Sequence, residues 1–274
     1  MLIKRKYVLH IILLVLGVLM IVPFIWMIST SLKSYSEVYV YPPTLIPEEL
    51  KLENFIRAWN AAPFARFFIN SIFVTISITF GQVLTGILAG YAFARLNFKG
   101  KNYVFLLFLS TLMIPRQVIL IPVYVIISKI GWVDTYQALI FPFIASAFSV
   151  FLLRQHFLSI PKELEEAAII DGCSKLKFIF KILVPLSKPA IAAVTLFSFR
   201  AAWNQYLWPL IVINSEKMRT LQIGLRYFVS QGGGNSEWHY LMALSLIVML
   251  PVLIVFLSSQ KYFIRGIAST GLKY

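Results

Sequence analysis

Six blocks of apolar sequence, each about the length that crosses a lipid bilayer, set the limits on what this chain can fold into. They run from Val8 to Ile28, Phe67 to Ala94, Tyr103 to Ile127, Ala138 to Leu158, Ile191 to Ile213 and Tyr240 to Leu257. A helix spanning the hydrocarbon core needs about 20 predominantly apolar residues, and its backbone polar groups must be satisfied inside the helix. A large water-soluble core would instead show apolar stripes with polar opposite faces. Charge decides between the two. Asp, Glu, Lys and Arg make up 13% of the 274 residues, against about 25% in a typical soluble domain. The expected fold is all-α: a polytopic integral membrane protein with six transmembrane helices.

The first block follows Lys4, Arg5 and Lys6 and carries no charge from Val8 to Thr30. A cleavable signal peptide has an apolar region of about 7 to 15 residues and a small-x-small cleavage site. This block is longer and lacks such a site, so it reads as a retained helix. Placing the N-terminus inside also returns the C-terminus inside after six crossings. That arrangement puts Arg95, Lys99, Lys101, Arg154, Lys162, Lys175, Lys177, Lys181, Lys188, Lys261, Arg265 and Lys273 on the cytoplasmic side with the N-terminal cations. An excess of Lys and Arg in cytoplasmic connections is the rule for inner-membrane proteins, and it accounts for the net charge of +14. Nucleic-acid binding is the other reading of a basic chain, but here the charges flank apolar spans.

Three connections stand out. Ser31 to Arg66, with Pro42, Pro43 and Pro47, is too polar for lipid and too long for a tight turn. Asn214 to His239 contains Gly232, Gly233, Gly234 and Asn235. Both are expected outside, as solvated loops or as contacts for an extracellular partner. The third, Ser159 to Lys188, is expected inside. Its sequence predicts a short acidic helix, a glycine elbow and a short basic helix at the membrane surface. Ser159 can cap the first helix, Pro161 suits a first turn, and Glu163, Glu165 and Glu166 favour a helix N-terminus. Leu164, Ala168 and Ile169 form an apolar stripe. Gly172 can end that helix in the left-handed conformation. Ser174 can cap a second helix bearing Lys175, Lys177 and Lys181, which is expected to stop before Pro185.

Glu166-Ala167-Ala168, three residues, Gly172, nine residues, Ile182, two residues and Pro185 together resemble the EAA loop of ABC-importer permeases. The family usually has Leu before the proline, where this chain has Val184. Asn70-Ser71, Tyr91-Ala92-Phe93-Ala94-Arg95, Met113-Ile114-Pro115, Trp203-Asn204, Trp208-Pro209 and the run from Gln260 to Gly266 look like the carbohydrate (maltose-type) permeases, specifically the smaller six-helix partner. The resemblance covers about Lys33 to Arg265. It implies the type I ABC-importer permease fold, with residues 1–66 as a first span plus extracytoplasmic loop. Residues 67–274 would then be a five-helix core with a cytoplasmic coupling loop at 159–188. It further implies that Glu163, Glu166, Ala167, Ala168, Asp171, Gly172 and Pro185 couple to an ATPase. The implied partners are a second permease, two ATPase subunits and an extracytoplasmic solute-binding protein met by the loop Gly232 to Asn235. ATP and Mg would be bound by the ATPases, and this chain would need no cofactor of its own. The implied location is a bacterial or archaeal cytoplasmic membrane.

The residues themselves offer no catalytic set. The glycines at Gly232 are not followed by the Lys-Ser/Thr of a phosphate-binding loop. His10, His156 and His239 are scattered, which argues against a metal site, and Cys173 is alone. Polar groups inside the blocks are candidates for a solute pathway. Asn70, Gln82, Gln117, Asn204 and Gln205 can hydrogen-bond hydroxyl groups, while Trp203, Tyr206 and Trp208 can stack on a sugar ring. Such residues also serve as interfacial anchors and as links between helices. Arg200, counted from Ile191, falls near the middle of the fifth block, where a cation costs about 2.5 to 3.5 kcal/mol. It is expected to face an aqueous pathway or a partner carboxylate, or else to reach the inner surface. Pro115 and Pro122 interrupt the third block as a gate or a static kink. An ion-coupled secondary transporter is the alternative class, but no acidic residue lies in any block to serve an ion cycle. A membrane enzyme would need a nucleophile, paired carboxylates or metal ligands.

The charge partition makes a direct prediction. In a Cys173-free background, cysteines placed at Lys175 and at Asn235 should react with an impermeant reagent from opposite sides of the membrane. Labelling from one side would overturn the topology.

Overall fold

The computed structural model describes residues 2–229 and 236–270. Among these, every regular element is helical. The chain divides into two compact units, one of Met1–Arg66 with Ile223–Leu250, the other of Phe67–Gln222 with Pro251–Tyr274. The glycine run Gly232, Gly233, Gly234 and Asn235 lies outside the described residues.

In the first unit, α1 (Leu2–Ser31) has an apolar stretch that is 0% buried against the rest of the chain. Its solvent is lipid or another protein. The polar segment after it folds on its own backbone and ends in α2 (Glu53–Asn60). Asn54 Nδ2 donates to the carbonyls of Ser31 and Lys33, both at 2.9 Å. The ammonium of Lys33 is buried, donates to the carbonyl of Thr44 and lies 5.0 Å from the Trp26 ring centroid. Buried charge is tolerated only when partnered in this way. Glu37 is also buried and accepts from the Glu48 amide at 3.0 Å.

The second unit holds most of α3 (Phe64–Arg95), then α4 (Lys101–Ser110), α5 (Arg116–Lys129), α6 (Ala147–Ser159), α7 (Glu163–Ile170), α8 (Lys175–Leu186), α9 (Lys188–Trp203) and α10 (Leu207–Val212). Helix α11 (Trp238–Thr270) completes the described chain. Three glycines on α3 set the central contact. A Cβ on Gly81 would sit 2.9 Å from Ile144 Cβ, one on Gly86 3.2 Å from Ser149 Cβ, and one on Gly90 3.2 Å from the Arg154 amide nitrogen. Small residues are what permit such backbone approach in lipid. Numbers rise together on both sides, so α3 and α6 run parallel. Side-chain amides and hydroxyls add to the contact: Gln82 Nε2 donates to Phe143 O at 2.8 Å and Thr85 Oγ1 to Ile144 O at 3.0 Å.

Parallel neighbours need a connection that returns the chain to its starting level. The bent pair Lys101–Met113 and Arg116–Lys129, at 104°, supplies it, with Pro115 at the break and Pro122 inside α5. Helix α9 runs antiparallel to α6: Phe148 meets Phe197 edge-on at 5.7 Å, while Leu153 and Phe157 share a core with Ala190 and Val194. Four helices are long and apolar enough to cross a membrane, and the two bent pairs raise the number of crossings to as many as six.

Two expectations about helix limits change. The fifth block is not one helix, because α9 stops at Trp203, Asn204 to Tyr206 break the run, and α10 is separate. Arg200 therefore lies in the last turn of α9, not mid-span. The second cytoplasmic helix does not stop before Pro185. It continues to Leu186 through a π-helical stretch, Ile179–Leu183, and turns by 85° into α9 at the buried Ser187. Wider turns relax the usual clash between a proline ring and the preceding carbonyls.

At the end of the unit remote from α7, Asp134 joins two connections. It adopts φ 63°, and its Oδ1 accepts from the amides of Asn214 and Ser215, both at 3.1 Å, and from Ser215 Oγ at 3.0 Å. Burial pushes this carboxyl up, but the hydrogen bonds outweigh it and hold the group below the ordinary carboxylate range.

The glycine contact is directly testable. Gly81→Leu should destabilise the purified protein by about 1 to 3 kcal/mol through overpacking against Ile144. Gly17→Leu on α1, where a Cβ meets nothing within 4 Å, should leave thermal unfolding in detergent unchanged. Equal melting of all three proteins would refute the close approach.

Candidate functional site: the coupling segment and the exposed polar residues

The segment from Ser159 to Lys188 is built from backbone rules upward. Helix α6 runs through Ser159, whose Oγ donates to His156 O at 2.7 Å. Ser159 therefore caps nothing, contrary to expectation, and α7 begins after Lys162 without a side-chain cap. Its end follows the expectation. Gly172 has φ +72°, its amide donates to Ile169 O at 3.0 Å, and the Cys173 amide donates to Ala168 O at 2.8 Å. This pair of bonds is the Schellman closure, which needs a left-handed residue. Ser174 Oγ then accepts from the Lys177 amide at 3.4 Å and starts α8.

Helix α7 has two faces. Of the expected stripe Leu164, Ala168 and Ile169, only Ala168 is buried, in a core with Tyr91, Leu153, Phe157, Phe178 and Leu183. Glu163, Leu164, Glu166, Ala167, Ile169, Ile170 and Asp171 are exposed, as are Gly172 and Pro185. Ile169 and Ile170 are 58% and 86% exposed. The inward face also carries Glu165. Its Oε1 accepts from Tyr91 Oη at 2.5 Å, and its Oε2 lies 3.8 Å from Arg95 Nε. Arg95 is buried and also donates through Nη2 to the carbonyls of Phe157 at 2.9 Å and Ile160 at 2.5 Å. Sequence reasoning used Tyr91 and Arg95 only as part of a motif. Their i,i+4 spacing at the end of an apolar helix, which places both on one face, was the available signal.

The candidate pathway residues separate into two groups. Asn70 is buried and fully engaged: Nδ2 donates to the carbonyls of Lys217 at 2.9 Å and Arg219 at 2.8 Å, and Oδ1 accepts from Tyr136 Oη at 2.7 Å. Trp203 is buried between Phe199 and Phe68. Gln82 is tied to Phe143, and buried Trp208 donates to Ala138 O at 2.9 Å. Gln117, Arg200 and Asn204 remain exposed, with Gln205 and Tyr206 half-buried. Arg200 and Asn204 sit together where α9 ends, at the opposite end of that helix from the coupling segment.

Comparison with known proteins identifies the architecture. Residues 82–269 match the family described as binding-protein-dependent transport system inner membrane component. The chain belongs to this family. It is 38% identical over 240 residues to the sn-glycerol-3-phosphate transport system permease protein UgpE of Escherichia coli O1:K1, covering 85% of each chain. It is 35% identical over 267 residues to the protein of that name in Yersinia pestis bv. Antiqua (strain Antiqua), covering 94% of this chain and 95% of the relative. Among solved structures, a chain of a bacterial ABC transporter involved in import of the acidic polysaccharide alginate superposes with a TM-score of 0.84 at 25% identity, over 94% of this chain and 96% of that one. As a family member with several apolar helices, the protein is a multi-pass permease of the bacterial inner membrane.

The elbow generates a prediction for this permease. Open space surrounds Gly172, so only backbone strain opposes a side chain there. Gly172→Val should re-aim α7 and α8 and reduce uptake at least about tenfold, since a β-branched residue at positive φ is strained by about 1 to 3 kcal/mol. Gly172→Asn, which tolerates that conformation, should retain most uptake. Equal uptake by all three proteins would rule out the requirement.

Proposed function

We propose that this chain is one of two permease subunits in a carbohydrate-class ABC importer. A partner permease completes the pathway, and an extracytoplasmic binding protein delivers the solute. Two ATPase subunits, which bind ATP and Mg, drive alternating access. The observation that carries this reading is the outer face of α7. Two large aliphatic side chains, Ile169 and Ile170, stand exposed between Glu166 and Gly172, in a segment flanked by Lys162, Lys175 and Lys177. Exposed aliphatic side chains rimmed by charged ones are what a protein–protein contact presents, and this supports a docking role. Glu163, Glu166, Ala167 and Asp171 share the exposure and complete the docking element; Ala168 secures it from behind.

The solute is a sugar or a related polar molecule, and an acidic one fits best. The relatives are named for sn-glycerol 3-phosphate, and a structural neighbour for an acidic polysaccharide. Here the exposed Arg200 would meet a phosphate or carboxylate, with Gln117, Asn204 and Tyr206 toward hydroxyl groups. Asn70 and Trp203 contribute by holding the framework. The loop Gly232 to Asn235 is proposed to face the binding protein.

Purification of the native complex without cross-linking tests the reading. A second permease and an active ATPase should co-purify. Ile169→Asp with Ile170→Asp should release at least about ninety per cent of the ATPase, as expected when a contact of 1 to 3 kcal/mol is lost at an interface centre. Uptake without any retained ATPase would favour an ion-coupled carrier instead.

A further inference from the structure

Helix α7 must be held as well as docked if movement at its outer face is to reach the spans. An eight-residue helix is short, and isolated helices of that length are marginal in water. Its own contribution to the core is one methyl group, Ala168. The rest of its attachment is polar. Tyr91 and Arg95 stand one turn apart on α3 and address the two oxygens of Glu165 separately, Tyr91 at Oε1 and Arg95 at Oε2. The same guanidinium takes the Phe157 and Ile160 carbonyls at the end of α6. Three elements therefore meet at one buried ion pair, and two of them are the parallel helices joined through Gly81, Gly86 and Gly90.

From this geometry we propose that Tyr91, Arg95 and Glu165 form the joint that passes movement of α7 to α3 and α6. They act as positioning residues, without contact to ATP or solute. The joint rests on the importer reading above. A single buried methyl group fixes little, because the hydrophobic effect is non-directional, whereas a carboxylate hydrogen-bonded to Tyr91 and facing the Arg95 guanidinium tethers α7 to α3 at a defined point. Arg95 Nε is buried without a hydrogen bond, 3.8 Å from Oε2. A shift of α7 toward α3 by about 1 Å would bring that pair to hydrogen-bonding distance. The carboxylate can thus stay attached while α7 changes its tilt.

The test uses the whole transporter, Cys173-free, with Asn204→Cys as a reporter at the remote end of α9. The readout is its rate of reaction with a maleimide, with and without ATP plus vanadate, beside the ATP hydrolysis rate. The unmodified joint should show an ATP-dependent change of about fivefold or more. Tyr91→Phe removes one oxygen and leaves the ring against Phe178. Glu165→Gln removes the charge opposite Arg95. Each should cut the change to below about twofold while the ATPase stays bound and active, and the double variant should add little, as for groups acting as one unit. A full change in both single variants overturns the joint. So does loss of the bound ATPase in both, which would make these residues structural supports. A parent complex that holds no ATPase and shows no change removes the importer reading and the joint with it.

Discussion

Helices α3 and α6 approach so closely that three glycines on one of them are read as a requirement by the other. In lipid there is no hydrophobic gain from bringing two apolar helices together, so contact has to come from close packing and buried polar bonds. Both are present along this seam. Gly81, Gly86 and Gly90 remove the side chains that would separate the backbones. Gln82, Thr85 and Arg95 then reach carbonyls across it. The direction of the remaining core follows: α9 runs back along both helices, and the bent pair α4 and α5 has to carry the chain from one end to the other.

The two ends of this core differ in how they are closed. At the end that carries α7, charged side chains make the polar contacts: Lys101 and Arg154 reach carbonyls of the α3 end, and Arg95 and Tyr91 meet Glu165 of α7, whose outer face is exposed. At the remote end they are neutral or capped. Asn70 gathers three partners, Ser71 Oγ accepts from the Leu221 amide at 2.8 Å, and Asp134 binds two connections at once. These bonds tie the connection after α10 to α3 and to the turn at Asp134.

How much of this was legible in the sequence depends on which physical rule wrote each part. The spans of α1, α3 and α11, and the run Tyr136–Ser159 that ends in α6, follow from length and apolarity, because lipid leaves a helix no alternative. The fifth block misled because apolar sequence flanks Asn204 to Tyr206 on both sides, and polar residues inside such a block read as pathway lining as readily as a helix break. Gly172 and Ser174 were readable because closure and capping are local backbone chemistry. Ser159 was not, since the carbonyls of Phe157 and Ile160 are held by Arg95, which is remote in sequence. Asn70, Gln82 and Trp208 look like pathway residues for as long as their partners are unknown. Nothing local announces that a buried amide is already satisfied by carbonyls more than sixty residues away.

The parallel seam also sets a schedule for biogenesis. Its two sides lie about 60 residues apart in the chain, and α6 can reach α3 only after α4 and α5 have brought the chain back. At ribosomal rates of about 5 to 20 residues per second, α3 waits some seconds in the bilayer with its glycine face unoccupied. During that interval the side-chain amide of Gln82 lacks the Phe143 carbonyl, whereas Thr85 can turn to the Gly81 carbonyl of its own helix. A nascent chain in this condition is a natural client for whatever lateral shelter the insertion machinery provides.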